Sequence, residues 1–171
     1  MLTYVIEGAA SHEFGPGPPG RLTAGSAILL TAPKPVSHAI NSVPGHTVRW
    51  FSAVVMLGPG PAPAPGLFVS QVADGAGPDG SAVRPLVGPG SPLPSAAGLE
   101  GAIIEHESEG TSFHRVGHDR LALVYALRGR GRVDDATLDG GEAALVEATA
   151  GVALHGQPGF RAVFLSAPRP T

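Results

Sequence analysis

Tyr4-Val-Ile-Glu-Gly8 and Tyr125-Ala-Leu-Arg-Gly129 open two copies of one order of signals, and that repetition decides the fold. After each, a glycine introduces another apolar run, Gly25-Ser-Ala-Ile-Leu-Leu30 in the first copy and Gly141-Glu-Ala-Ala-Leu-Val146 in the second. A histidine follows, His38 or His155, and then a closing run that begins near Arg49 or Arg161. One Tyr-x-x-x-Gly match means little, but several features in the same order indicate an internal duplication. The runs are short, rich in Val, Ile and Leu, and punctuated by Gly and Pro, which is the signature of strands. Strands are expected at Leu2–Glu7, Ala27–Thr31, Thr47–Leu57, Leu99–Glu107, Leu121–Leu127, Ala143–Glu147 and Ala162–Ser166, with no long amphipathic helix. Antiparallel strands joined at glycine turns fit an all-β protein of two tandem jelly-roll barrels.

Outward from the repeat, the punctuation sets the expected boundaries. Pro and Gly are densest between Gly58 and Gly98, beginning with GPGPAPAPG, which favours extended backbone without ladder hydrogen bonds. This stretch, 58–98, is expected to connect a first barrel at 1–57 to a second at 99–171, and to be where proteases cut first. A chain of 171 residues is just long enough for two small units. With 43% hydrophobic and 15% charged residues, it has the apolar content to fold.

Composition also excludes classes of function. The absence of Cys removes disulfides, zinc-thiolate sites, iron–sulfur clusters and thiol nucleophiles. A net charge of -3, with 11 scattered Lys and Arg, lacks the basic footprint of a nucleic-acid binder, so no direct nucleic-acid binding is expected. No apolar run approaches a membrane span and the amino terminus does not read as a signal peptide, so the expected location is cytoplasmic, with no membrane partner.

The first copy resembles the pirin family of bicupins, within the cupin superfamily. LTYVIEG at Leu2–Gly8 is similar to that family's strand and turn, and LLTAPKPVSH at Leu29–His38 to its second cupin motif. The resemblance continues through VRPLVGPGSPL at Val83–Leu93 and ends near SAPRP at Ser166–Pro170. It implies tandem cupin barrels, the first shortened at its amino-terminal end. It also implies a first-barrel metal site made of a His-x-His pair, a later His and a Glu two residues beyond. The His-x-His pair would fall before Met1, His38 matches the later His, and Ile40 stands at the Glu position. One matching ligand does not make a tight site, since three or four are normally required. Two expectations follow: either the first barrel is without metal or other cofactor, the leading one, or the true start lies upstream and carries the His-x-His pair.

Of the remaining residues, His38 is the expected acid–base group, because imidazole titrates near neutrality, with Tyr4 as a second proton donor. Trp50 and Ser52 share strand parity and, with Ile40, are expected to line an apolar pocket that binds a small molecule. His12 and Glu13 precede a turn and are expected at the surface. A replacement metal site from His114, His118 and His155, with oxygen from Glu105 and Glu107, would need the chain to turn between His114 and His118. The leading expectation is a binder or converter of an apolar small molecule, forming a homodimer or other closed assembly through an open barrel edge. The resemblance implies two alternatives: a metal-dependent oxygenase like the quercetin dioxygenases, and a non-enzymatic transcriptional co-regulator acting through partners.

Overall fold

A computed structural model of the chain describes residues 1–15, 18–56, 64–72, 81–147 and 150–169. Among them there are sixteen strands and no helix, hence no helix long and apolar enough to cross a membrane. The chain divides into two compact units, Met1–Ala73 and Asp74–Thr171. The first contains β1 (Leu2–Glu7), β2 (Ala9–Phe14), β3 (Gly20–Thr23), β4 (Ser26–Thr31), β5 (His38–Ser42), β6 (Arg49–Ala53) and β7 (Gly66–Gln71). They form one sheet ordered β6-β1-β4-β7 and another ordered β3-β2-β5. The second contains β8 (Ser81–Val87), β9 (Glu100–His106), β10 (Gly110–Arg115), β11 (Arg120–Arg128), β12 (Arg130–Val133), β13 (Ala136–Asp139), β14 (Ala143–Glu147), β15 (Gly151–Gly156) and β16 (Phe160–Pro168). Its sheets run β14-β11-β16-β9-β8 and β10-β15-β12-β13.

The duplication is present in the hydrogen bonding. The order β6-β1-β4 of the first unit returns as β16-β11-β14, and β5-β2-β3 returns as β15-β12-β13. Even the irregularities repeat, with a bulge between Val5 and Glu7 where β1 meets β6 and between Ala126 and Arg128 where β11 meets β16. The strand after Tyr ends in each copy at a glycine with positive φ, Gly8 at 80° and Gly129 at 73°. A side chain at either position would meet backbone, that of Thr47 in one case and Phe160 in the other, so the turn requires glycine twice over.

Each unit has its own apolar interior. In the first, Val5, Ala10, Leu22 and Ile28 form the core, with Ile40, Val48 and Leu67 against it. In the second, Ile104, Val124, Val133, Val152, Leu154, Phe160 and Phe164 are among a larger set. Burying a side chain the size of Phe160 contributes about 1.5–3 kcal/mol.

The expected partition into 1–57, 58–98 and 99–171 is corrected in part. Two strands lie inside the stretch read as a connection: β7, paired with β4 in the first unit, and β8, paired with β9 in the second. Proline does not forbid these strands, because β8 is an edge strand and Pro85 sits beside its bulge, where a missing N–H costs no ladder bond. Residues 57–63 and 73–80, which include most of GPGPAPAPG, lie outside the described residues.

Candidate functional site

Strand parity in the first unit decides which side chains can meet. Val5 and Ile28 belong to the core, and Thr3 stands opposite Ile28 and Ser52, while Val5 stands opposite Trp50. Thr3, Val5, Trp50 and Ser52 therefore share the core-side face of their sheet, and Thr3 Oγ1 and Ser52 Oγ are 2.9 Å apart. Trp50 remains 41% exposed because β6 is an edge strand. On the other sheet, Ala10 is a core residue, so His12 and Phe14 point to the core as well, and the register places Ile40 opposite His12 and His38 opposite Phe14.

This geometry brings His12 and His38 together. Their ring centroids are 5.1 Å apart at an interplanar angle of 54°. Both Nε2 atoms are buried and have no hydrogen-bond partner among the described residues. Burial holds the His12 pKa below the usual imidazole value. The His38 pKa is lowered first by burial, then by positive charge on His12 and on the amino terminus. Two imidazoles this close do not carry two protons at once. At neutral pH the site presents uncharged nitrogens with a vacant hydrogen-bonding position on each ring.

The duplicated half shows that the fold does not require these histidines. Counting from Tyr4 and Tyr125, Ala10 and Gly131 are counterparts, and they stand opposite Ser42 and Gly156 in the two registers. His12 then corresponds to Val133, and His38 to Val152, both in the apolar core of the second unit. The sequence comparison that set His38 against His155 is corrected by this register, since the true counterpart of His38 is Val152.

Tyr4 is not part of the site. It lies opposite Ala27 and Phe51, on the face away from Val5 and Ile28, and is 1% exposed. Period two places it there, one residue out of phase with the core face. His12 is the residue that sequence reasoning missed; expected at the surface before a turn, it is 6% exposed in β2. The alternation of Ala10, His12 and Phe14 along one strand is the signal that could have found it.

The candidates for a replacement metal site are dispersed. His114 shares the core-side face of β10 with Ser112, because it stands opposite the core residue Val152, whereas His155 lies opposite Thr111 on the outer face. His155 Nδ1 is 2.6 Å from Thr111 Oγ1. Glu105 is held by Arg84, by Arg128 at 3.0 Å and by Arg161 at 3.6 Å, so its oxygens neutralise guanidinium groups. Among the described residues no group of three or more His, Asp or Glu side chains could hold a metal ion. The His12–His38 pair, with Ile40 opposite His12, offers two nitrogens and no carboxylate. That donor set does not fit the three or four ligands of a mononuclear oxygenase centre, and no step is routed through a metal.

Neither a family model nor a curated protein matches the sequence. Solved structures do. YhhW from Escherichia coli, another structure of which is described as a bacterial pirin in complex with nickel(II), superposes with a TM-score of 0.77 at 15% identity, covering 99% of this chain and 71% of that one. A quercetin 2,3-dioxygenase from Acinetobacter baumannii gives 0.80 at 18% identity, with 99% of this chain spanning 58% of the enzyme. GK1651 from Geobacillus kaustophilus gives 0.78 at 18%, covering 99% and 75%. At such identities the likeness carries the fold, and the chain has the all-β tandem jelly-roll fold of the cupin type.

Proposed function

We propose that the first barrel of this cupin-fold protein binds an apolar small molecule and moves a proton on it, with the His12–His38 pair as the proton-handling group and no metal ion in the step. The observation that carries the reading is the pair itself: two buried imidazole nitrogens without partners, at positions where the duplicated barrel has valine. An unmet buried polar group costs about 1–3 kcal/mol, a cost that a structural role does not repay here. His38 Nε2 accepts the proton from an acidic C–H or O–H of the ligand, and His12 limits the pair to one proton, keeping the acceptor basic form populated at neutral pH. Ile40 supplies an apolar wall opposite His12, and Trp50 and Ser52 line the core-side face of the other sheet.

The test is exchange of the ligand's proton with deuterium oxide. Apolar compounds extracted from the purified protein are identified by mass spectrometry and returned to the wild type and to His38→Val. Exchange should fall by about 10²–10⁴ in the variant, and be indifferent to oxygen and chelator. Exchange that survives His38→Val, or that stops with chelator, sinks the reading.

The open edges of the first unit support a homodimer. β15 and β16 are covered by β10 and β9, whereas their counterparts β5 and β6 end their sheets among the described residues. Exposed Val36, Trp50, Val54 and Met56 lie on or next to these strands. Unpaired edges with apolar neighbours invite strand addition from a second copy.

A further inference from the structure

The second unit contains a cavity lined by residues of that unit. The cavity, of about 270 Å³, opens beside edge strand β10, and Pro85, Val87, Pro89, Ala102, Phe113 and Phe164 give it apolar walls. One uncharged polar side chain lines it, His114, with Glu100 and Arg115 as the two charged residues. His114 stacks on Phe164, ring centroids 5.0 Å apart at 31°.

Behind the wall His114 is held by a short chain of polar groups. Ser112 Oγ lies 2.9 Å from His114 Nε2 and 3.5 Å from Nε2 of the buried His106. Ser112 does not line the cavity, so it occupies Nε2 and leaves Nδ1 as the polar atom that His114 offers to an occupant. The fold does not need this arrangement: on the same face of the sheet, neighbouring Val152 and Leu154 are apolar. Burial, and then His106, push the His114 pKa down to about 4, so the ring is uncharged at neutral pH.

We propose that this cavity binds a single aromatic ring bearing a hydroxyl, a phenol-sized ligand, with the hydroxyl on His114 Nδ1 and the ring against Phe164 and the prolines. Size suits a ring, since an apolar cavity of about 150 Å³ holds benzene and 270 Å³ leaves room for a substituent as well. Charge sets the polar group. An uncharged imidazole pairs with a neutral hydroxyl, and the one negative and one positive lining residue, Glu100 and Arg115, leave the wall without a net charge to hold a carboxylate.

The probe is 4-methylphenol, with toluene and benzoate for comparison, followed by calorimetry and by the ¹⁵N resonances of the His114 ring. The wild type should bind 4-methylphenol at least tenfold more tightly than toluene or benzoate, with the His114 resonances shifting on titration. His114→Phe keeps the stacking on Phe164 and should lose that preference over toluene. The His12→Val/His38→Val protein should bind as the wild type does, which separates this site from the first barrel. Tighter binding of benzoate, unmoved His114 resonances in the wild type, or binding lost with the first-barrel histidines would each overturn the proposal. Because the resonance shift is read in the wild type, the test stands even where His114→Phe fails to fold.

Discussion

His12 and His38 are costly residues, and their cost is measurable. Replacing both by valine installs the side chains that the duplicated barrel already carries at Val133 and Val152. The double variant should gain about 1 kcal/mol from removal of two unmet nitrogens, or about 2–4 °C in Tm for a chain of this length, while losing proton exchange on the ligand. A drop in Tm would mean that the pair is structural. The same pair makes the wild type sensitive to acid. An unfolded histidine titrates at about 6.5, whereas burial lowers both folded values. Below 6.5 the unfolded chain therefore takes up protons that the folded one refuses, so stability is full above that pH and declines as pH falls toward the folded values. His114, with a folded value of about 4, acts in the same direction. Urea midpoints between pH 7.5 and 4.5 should fall steadily in the wild type and less in the double valine variant. Glu105 is a different kind of residue. With Arg84 and Arg161 at 12% and 14% side-chain exposure around it, Glu105→Gln removes a largely buried countercharge and should cost about 3–5 kcal/mol, read from chemical denaturation.

Among the elements, β12 and β15 show how closely strands and core are matched. A Cβ on Gly131 would come within 2.6 Å of the Phe160 ring, which is itself fully buried. Gly131→Ala should thus displace an aromatic ring that has no free space, at about 1–3 kcal/mol. The counterpart change needs no experiment, because the first unit already has Ala10 there, with Val48 in the place of Phe160. A destabilisation of less than about 0.5 kcal/mol in a denaturant titration would mean that Phe160 has room to move. Interruption and shortness explain strands that the sequence does not announce. The edge strands β7 and β8 are hidden by Pro and Gly, and β12 and β13 are only four residues long, the shortest run in which alternation is readable.

At the level of the whole molecule, the two halves differ in which edges are covered. β9 and β10 close the edges of β16 and β15, and the first unit has no such pair among the described residues. The expected assembly is a dimer in light scattering, and Val54→Lys with Met56→Lys should shift it to monomer, since charge beside an open edge blocks strand addition. A wild type that is monomeric at all concentrations tested would rule out pairing through these edges.

The sequence by itself determined the duplication, the all-β class, the position of β1 and β14 to the residue, and the two glycine turns that follow the Tyr strands. Those features are local: an apolar run of strand length and a glycine forced by positive φ can be read from neighbours in the chain. It also marked Trp50 and Ser52 as sharing one strand face, because parity is local as well. Only the tertiary structure decided that His12 joins His38, that Tyr4 faces the other way, that Val152 rather than His155 is the counterpart of His38, and that Glu105 belongs to arginines. Each of these depends on register between strands far apart in sequence, and a slip of one residue turns every side chain to the opposite face.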